Sequence, residues 1–139
     1  GTLHPFRPTI LFEFGVRPWA GLPIEQVLWY QGETNAEVDN DPWNQQLIED
    51  MIRGWREVLA QAELPFYVVQ LPEIGGKDPI RAHWPKFREV QARACQSLPQ
   101  THLIVTRDLG WGSSPDVHPP DKLPVAKRIA EAVLENAKN

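Results

Sequence analysis

Asp116-Val117-His118-Pro119-Pro120 places a carboxylate and an imidazole two residues apart. Histidine is the usual general base near neutral pH. A carboxylate on its Nδ1 fixes the tautomer and steadies the imidazolium. In extended backbone, residues i and i+2 point to one side of the chain, so Asp116 can reach His118. The two prolines stiffen the loop that holds them. Taken alone, this spacing is more often an ordinary surface Asp and His, so a second constellation is needed. Gln31-Gly32-Glu33-Thr34-Asn35 supplies one. Gln31 and Asn35 carry amide donors of the kind an acyl transfer aims at a developing oxyanion. Gly32 lets the backbone turn sharply and approach a ligand closely. Glu33, partly buried in such a corner, needs a hydrogen-bonding partner. The competing reading is a turn whose polar groups merely cap backbone.

A nucleophile does not accompany them. The serines are Ser97, Ser113 and Ser114. Ser97 ends a helical pattern, and Ser113 and Ser114 lie too near Asp116 in sequence to face it easily. None sits in a Gly-Asp-Ser or Gly-Gln-Ser turn after a strand. A base and an oxyanion corner without an attacking group imply a fragment. Among the other histidines, His83 adjoins a loop and can touch substrate, His102 opens a strand and reads as structural, and His4 is weaker still. No His/Cys/Asp spacing reads as a metal site, and no cofactor is implied.

The elements that must position these groups alternate in type. Thr9 to Phe14 reads as a short helix stopped by Gly15 and Pro18. Ile24 to Tyr30 is a short apolar run bounded by Pro23 and Gly32, a buried strand. Asp41-Pro42 reads as an N-cap followed by proline at N1. Trp43, Leu47, Ile48, Met51, Ile52, Trp55, Val58 and Leu59 then form one helical stripe ending near Ala62. Phe66 to Leu71 is a second strand, stopped by Pro72. Residues 73–82, with Gly75-Gly76 and Asp78-Pro79, form a loop. Trp84 to Leu98 reads as a helix, His102 to Thr106 as a third strand, Gly110 to Pro120 as a loop and Leu123 to Ala137 as a final helix. Strand, helix, strand, helix, strand, helix predicts a parallel sheet with helices on both faces. The loops after the carboxyl ends of the strands then make the site. They begin at Gln31, Pro72 and Arg107, so the two constellations can converge.

The bulk of the chain suits this plan. Its 139 residues fit one domain, and 42% hydrophobic residues suffice for a core. A net charge of −4 without a basic patch argues against nucleic acid as a partner. No run is long enough to span a bilayer, so no membrane partner is implied. Six tryptophans are many for this length; Trp29 and Trp55 read as core, and others can line a sugar site. The single cysteine, Cys95, excludes an internal disulfide and reads as a buried small hydrophobe.

Trp29-Tyr30-Gln31-Gly32-Glu33-Thr34-Asn35-Ala36 resembles the WYQGESNA block of the sialate O-acetylesterases, carbohydrate esterases of the SGNH-hydrolase superfamily. The resemblance runs on in order: Phe66 to Leu71, Phe87-Arg88-Glu89-Val90-Gln91, Val105 to Gly110, then Asp116-Val117-His118-Pro119-Pro120-Asp121-Lys122 with Val125 and Arg128. It implies a three-layer α/β/α sandwich on a parallel sheet, flavodoxin-like, of which this chain holds about three strands. It also implies a serine acyl-enzyme that releases acetate from O-acetylated sugars. His118 becomes the general base and Asp116 its orienter. In many relatives of the superfamily that Asp stands three residues before the His, where this chain has Pro115. Aligning the superfamily's Gly-x-Asn-Asp block on Gly32 puts Thr34 at the Asn, so Gln31 is the preferred oxyanion donor and Asn35 the reserve. Glu33 organises the nucleophile loop. Arg88 and Gln91 brace the substrate loop, Asp108 bonds loop backbone, and Arg81, His83 and Glu73 touch substrate. Sialic acid carries a carboxylate, for which Arg81 is the nearby cation.

The family's blocks with the nucleophile Ser and the oxyanion Gly have no counterpart here. The expectation is therefore that residues 1–139 are the carboxyl-terminal part of one domain, and that a companion chain or upstream segment brings the serine. An acetylxylan-type substrate competes with sialic acid, and a non-catalytic carbohydrate-binding or regulatory subunit is the reading from another class. Cysteine usage leaves the compartment open; members of the family are often secreted, periplasmic or lysosomal.

Overall fold

The computed structural model describes residue 7 and residues 9–75, 79–110 and 116–138. Its elements follow the predicted alternation. They are α1 (Ile10–Gly15), β1 (Val27–Trp29), α2 (Asp41–Val58), β2 (Phe66–Val69), α3 (Trp84–Ser97), β3 (Thr101–Ile104) and α4 (Leu123–Asn136), with short 3-10 turns between. The strands lie in the order β1-β2-β3 and all pair in parallel. Val27 stands opposite Phe66, and Phe66 opposite Thr101.

Side-chain alternation along β2 builds two cores. Phe66 and Val68 face Ile52 and Leu59 of the α2 end and Cys95 and Leu98 of the α3 end. Tyr67 and Val69 face the opposite way with Ile104, onto Val125, Ile129 and Val133 of α4. All four β2 residues are buried, as a strand covered on both faces requires. The result is the three-layer α/β/α arrangement expected from the sequence. Trp29 and Trp55 meet edge to face, centroids 5.6 Å apart, half-buried against the first core. Burial pushes the Cys95 thiol up to about 12, so it stays protonated there.

Several boundaries move for physical reasons. The α2 cap is Asn40, not Asp41: its Oδ1 accepts the Trp43 N–H at 3.1 Å, which places Pro42 at the second helical position. The helix ends four residues before Ala62, where Ala60 takes a left-handed φ of 55°. β1 is shorter than its apolar run because pairing starts only where Val27 N–H meets Pro65 C=O. The third strand begins one residue early, at Thr101. Thr106 lies beyond its end and donates its hydroxyl to Gln70 C=O.

The amino edge of the sheet is closed by Arg56. Its guanidinium donates to Leu64 C=O (3.0 Å), Pro99 C=O (2.8 Å), Gln100 C=O (3.1 Å) and Thr101 Oγ1 (3.3 Å). The outer side of β1 pairs with no strand among the described residues. Leu28 is half exposed there. Apolar grooves flank it on both faces, one lined by Val16, Trp19 and Trp55, the other by Ile129, Val133 and Leu134.

Candidate active site

β1 ends at Trp29, and the chain turns through Gly32 at φ 142°, a conformation that favours glycine. A Cβ at that position would fall 2.4 Å from a ring carbon of Phe87 on α3, so the turn also needs the missing side chain. The corner is fixed by its own polar groups. Glu33 accepts the Gly32 N–H at 3.0 Å, which gives this part-buried carboxylate the partner it requires. Gln31 Nε2 donates to Asn35 Oδ1 at 2.9 Å and keeps a second N–H. Buried Asn44 donates to Asn35 C=O and Val38 C=O from α2, pinning the far side of the turn. Burial raises the Tyr30 phenol above its ordinary value, and the Glu33 charge adds to this.

At the third loop, Asp116 Oδ1 accepts the His118 N–H at 2.9 Å and lies 3.0 Å from His118 Nδ1. With Nδ1–H directed at the carboxylate, Nε2 is left as the basic nitrogen. The imidazole is 81% exposed. The His118 backbone bond first, and its ring second, hold Asp116 below the usual carboxylate range, with a smaller contribution from Arg81.

Val117, between the two, reaches into a cluster of Ala36, Leu71, Trp84 and Phe87. Ala36 belongs to the Gln31 corner and Leu71 to the loop after β2. One apolar cluster thus backs all three carboxyl-edge loops. Lys122, just past His118, lies 5.3 Å above the Tyr30 ring and ties the first and third loops a second time.

The second loop is bound to the third. Glu73 N–H donates to Arg107 C=O at 2.9 Å, and the two side chains approach to 3.6 Å. Gly110 lies so close to Glu73 C=O that any Cβ would collide with it. Trp84 Nε1 donates to Pro72 C=O at 2.8 Å. Arg88, nearly buried, points Nη1 at the same carbonyl from 3.5 Å; burial lowers its pKa, and Arg107 adds to the effect.

The three carboxyl-edge loops that carry these residues are therefore in contact, with two departures from the expected roles. His83 turns Nδ1 to Asp39, 3.2 Å away, and Lys86 also approaches Asp39, at 3.8 Å. Asp39 carried no signal in the sequence, since its partner lies 44 positions away. Asp108 does more than bond loop backbone: it forms a bidentate pair with Arg128 of α4, at 2.7 and 3.0 Å, which lowers its pKa. Ser97 Oγ donates to Glu49 at 2.8 Å, a contact between α3 and α2. Ser113 and Ser114 lie outside the described residues.

Residues 16–135 match the family model described as carbohydrate esterase, sialic acid-specific acetylesterase. The chain is 30% identical over 152 residues to a mouse sialate O-acetylesterase and 31% identical over 155 residues to the human one. Each alignment takes in 97% of this chain but only 28% and 29% of the relative, so the chain spans little more than a quarter of their length. Among solved structures, a carbohydrate acetylesterase from Xanthomonas citri superposes with a TM-score of 0.69 at 35% identity, over 83% of this chain and 26% of that one.

Proposed function

Because this chain belongs to the sialic acid-specific acetylesterase family of carbohydrate esterases, we propose that it carries the proton-transfer half of an O-acetylesterase site. It is the carboxyl-terminal part of an SGNH-type domain, and the attacking serine comes from a segment outside residues 1–139. That segment docks along the outer side of β1, which meets no strand among the described residues and is flanked by two apolar grooves. His118 Nε2 takes the proton as the serine attacks the acetyl carbonyl, and Asp116 holds the ring and steadies its charge. Gln31 offers its second amide N–H to the oxyanion, while Glu33, Gly32 and Asn35 keep that donor in place. His118 then gives that proton to the departing sugar oxygen, which leaves as a hydroxyl, and water, deprotonated by His118, releases acetate and restores the serine. Arg81, His83 and Glu73 line the sugar side, where Arg81 is the cation that would meet the carboxylate of a sialic acid.

The observation that carries this reading is the shared apolar cluster. It seats Val117, between acid and base, against the residues that back the Gln31-Gly32 corner. The test is acetate release from O-acetylated sialic acid and O-acetylated xylan by the protein joined to its serine-bearing segment. His118→Ala is expected to cut release by about 10³-fold or more. A serine-directed fluorophosphonate is expected to label a position outside residues 1–139. Tight glycan binding without acetate release would instead identify a binding module, and hydrolysis that persists in His118→Ala would remove the base assignment.

A further inference from the structure

Gln91 is almost fully buried, and its carboxamide lies where β1 and β2 separate. The last rung of their ladder joins Trp29 to Val68. Beyond it, Gln91 Oε1 accepts the Leu71 N–H at 2.9 Å, and Nε2 reaches Val69 C=O at 3.3 Å and Gln31 C=O at 3.5 Å. The side chain thus offers the donor and acceptor of one peptide unit in the gap that the diverging strands leave open. Phe87, one turn earlier on the same face of α3, carries the ring on which Gly32 rests. Residues 87 and 91 together form a bed under the Gln31-Gly32 turn.

We propose that Gln91 is a positioning residue for the hydrolytic site: it sets the height of the Gln31-Gly32 backbone against the β2 loop, and through it the aim of the Gln31 amide. The proposal rests on the assignment of Gln31 to the oxyanion. A preorganised donor displaced by about 1 Å can cost on the order of 10²-fold in rate. A side chain that touches neither substrate nor nucleophile can therefore govern turnover.

The test compares Gln91→Met and Gln91→Glu with the parent, in the protein joined to its serine-bearing segment. It reads kcat and KM for acetate release across pH, and amide hydrogen exchange by residue. Gln91→Met nearly conserves volume but removes the donor and acceptor. It is expected to lower kcat by about tenfold or more with KM little changed. Exchange should quicken at Gly32 and Ala36, whereas the Gln70 amide, bonded to Ile104 C=O, keeps its protection. Gln91→Glu adds a signature that simple destabilisation lacks. A neutral buried carboxyl keeps one donor and one acceptor, but its carboxylate would face two carbonyls. The variant-to-parent ratio of kcat should therefore rise as pH falls.

A ratio flat with pH, an unchanged kcat in Gln91→Met, or exchange that quickens equally through both ladders overturns the proposal. If the parent releases no acetate, the esterase reading fails separately. The exchange pattern then decides by itself whether Gln91 holds the corner.

Discussion

The two edges of this small sheet treat polar groups in opposite ways. At the amino edge, buried Arg56 reaches four oxygens, three from two loops and one from the first residue of β3, and its donors end inside the protein. At the carboxyl edge, three of the proposed site groups pair with close sequence neighbours: Asp116 with His118, Gln31 with Asn35, Glu33 with the Gly32 amide. Each of those pairs orders a side chain, and Gln31 and the His118 ring remain exposed. The amino edge is scaffold because its long-range bonds are complete. The carboxyl edge suits a site because its short-range bonds order the Gln31, Glu33 and His118 side chains without burying Gln31 or His118.

The contrast is sharpest if the two edges fail differently. Arg56→Met strands several acceptors, and an expected loss of about 3 kcal/mol should appear in urea unfolding. Turnover per folded molecule should stay unchanged; a fall in turnover with stability intact would break the comparison. Gly32→Ala demands a side chain at φ 142° against the Phe87 ring. It should lower kcat by about tenfold or more and stability by about 1–2 kcal/mol, measured by steady-state kinetics beside thermal melts.

Asp116→Asn belongs wholly to the carboxyl edge. A fall in kcat of about tenfold or more is expected, while any drop in melting temperature relative to the parent should be small and the same throughout pH 5 to 8. Asp116 has a depressed folded pKa, so any stability it lends is present above its ordinary 3.8 and disappears only as pH falls through the folded value. The smallest effect concerns His102, stacked on Tyr67 at 4.9 Å with Nε2 buried and unbonded among the described residues. Burial lowers its pKa from 6.5, so the unfolded chain takes up the proton first. Stability should therefore decline as pH drops below about 6.5, and His102→Leu should flatten that slope in urea titrations at successive pH values.

Legibility followed sequence separation. The Asp116–His118 contact could be read because the two residues stand only two apart, although the chain makes it through a bend, with Asp116 also accepting the His118 N–H, and not through the extended backbone expected. The cores could be read because β2 and the helix stripes state their own periodicity. The cap of α2 was misplaced by one residue because Asn40 and Asp41 are equally good caps and proline fits the second helical position as well as the first. Asp39 with His83, and Asp108 with Arg128, were out of reach. Each joins elements whose relative rotation is set by packing, which no local pattern encodes. The Phe87 ring under Gly32 was hidden similarly: glycine announces a turn, not what lies beneath it.

The Asp116-Val117-His118 tripeptide has a kinetic consequence. Carboxylate and imidazole share one short piece of chain, so their alignment needs almost no loop closure. Should the segment swing away from the Leu71 and Trp84 side chains, proton acceptor and anchor would travel together. Such a swing would carry the Asp116–His118 pair away from the Gln31 corner with its internal contact intact.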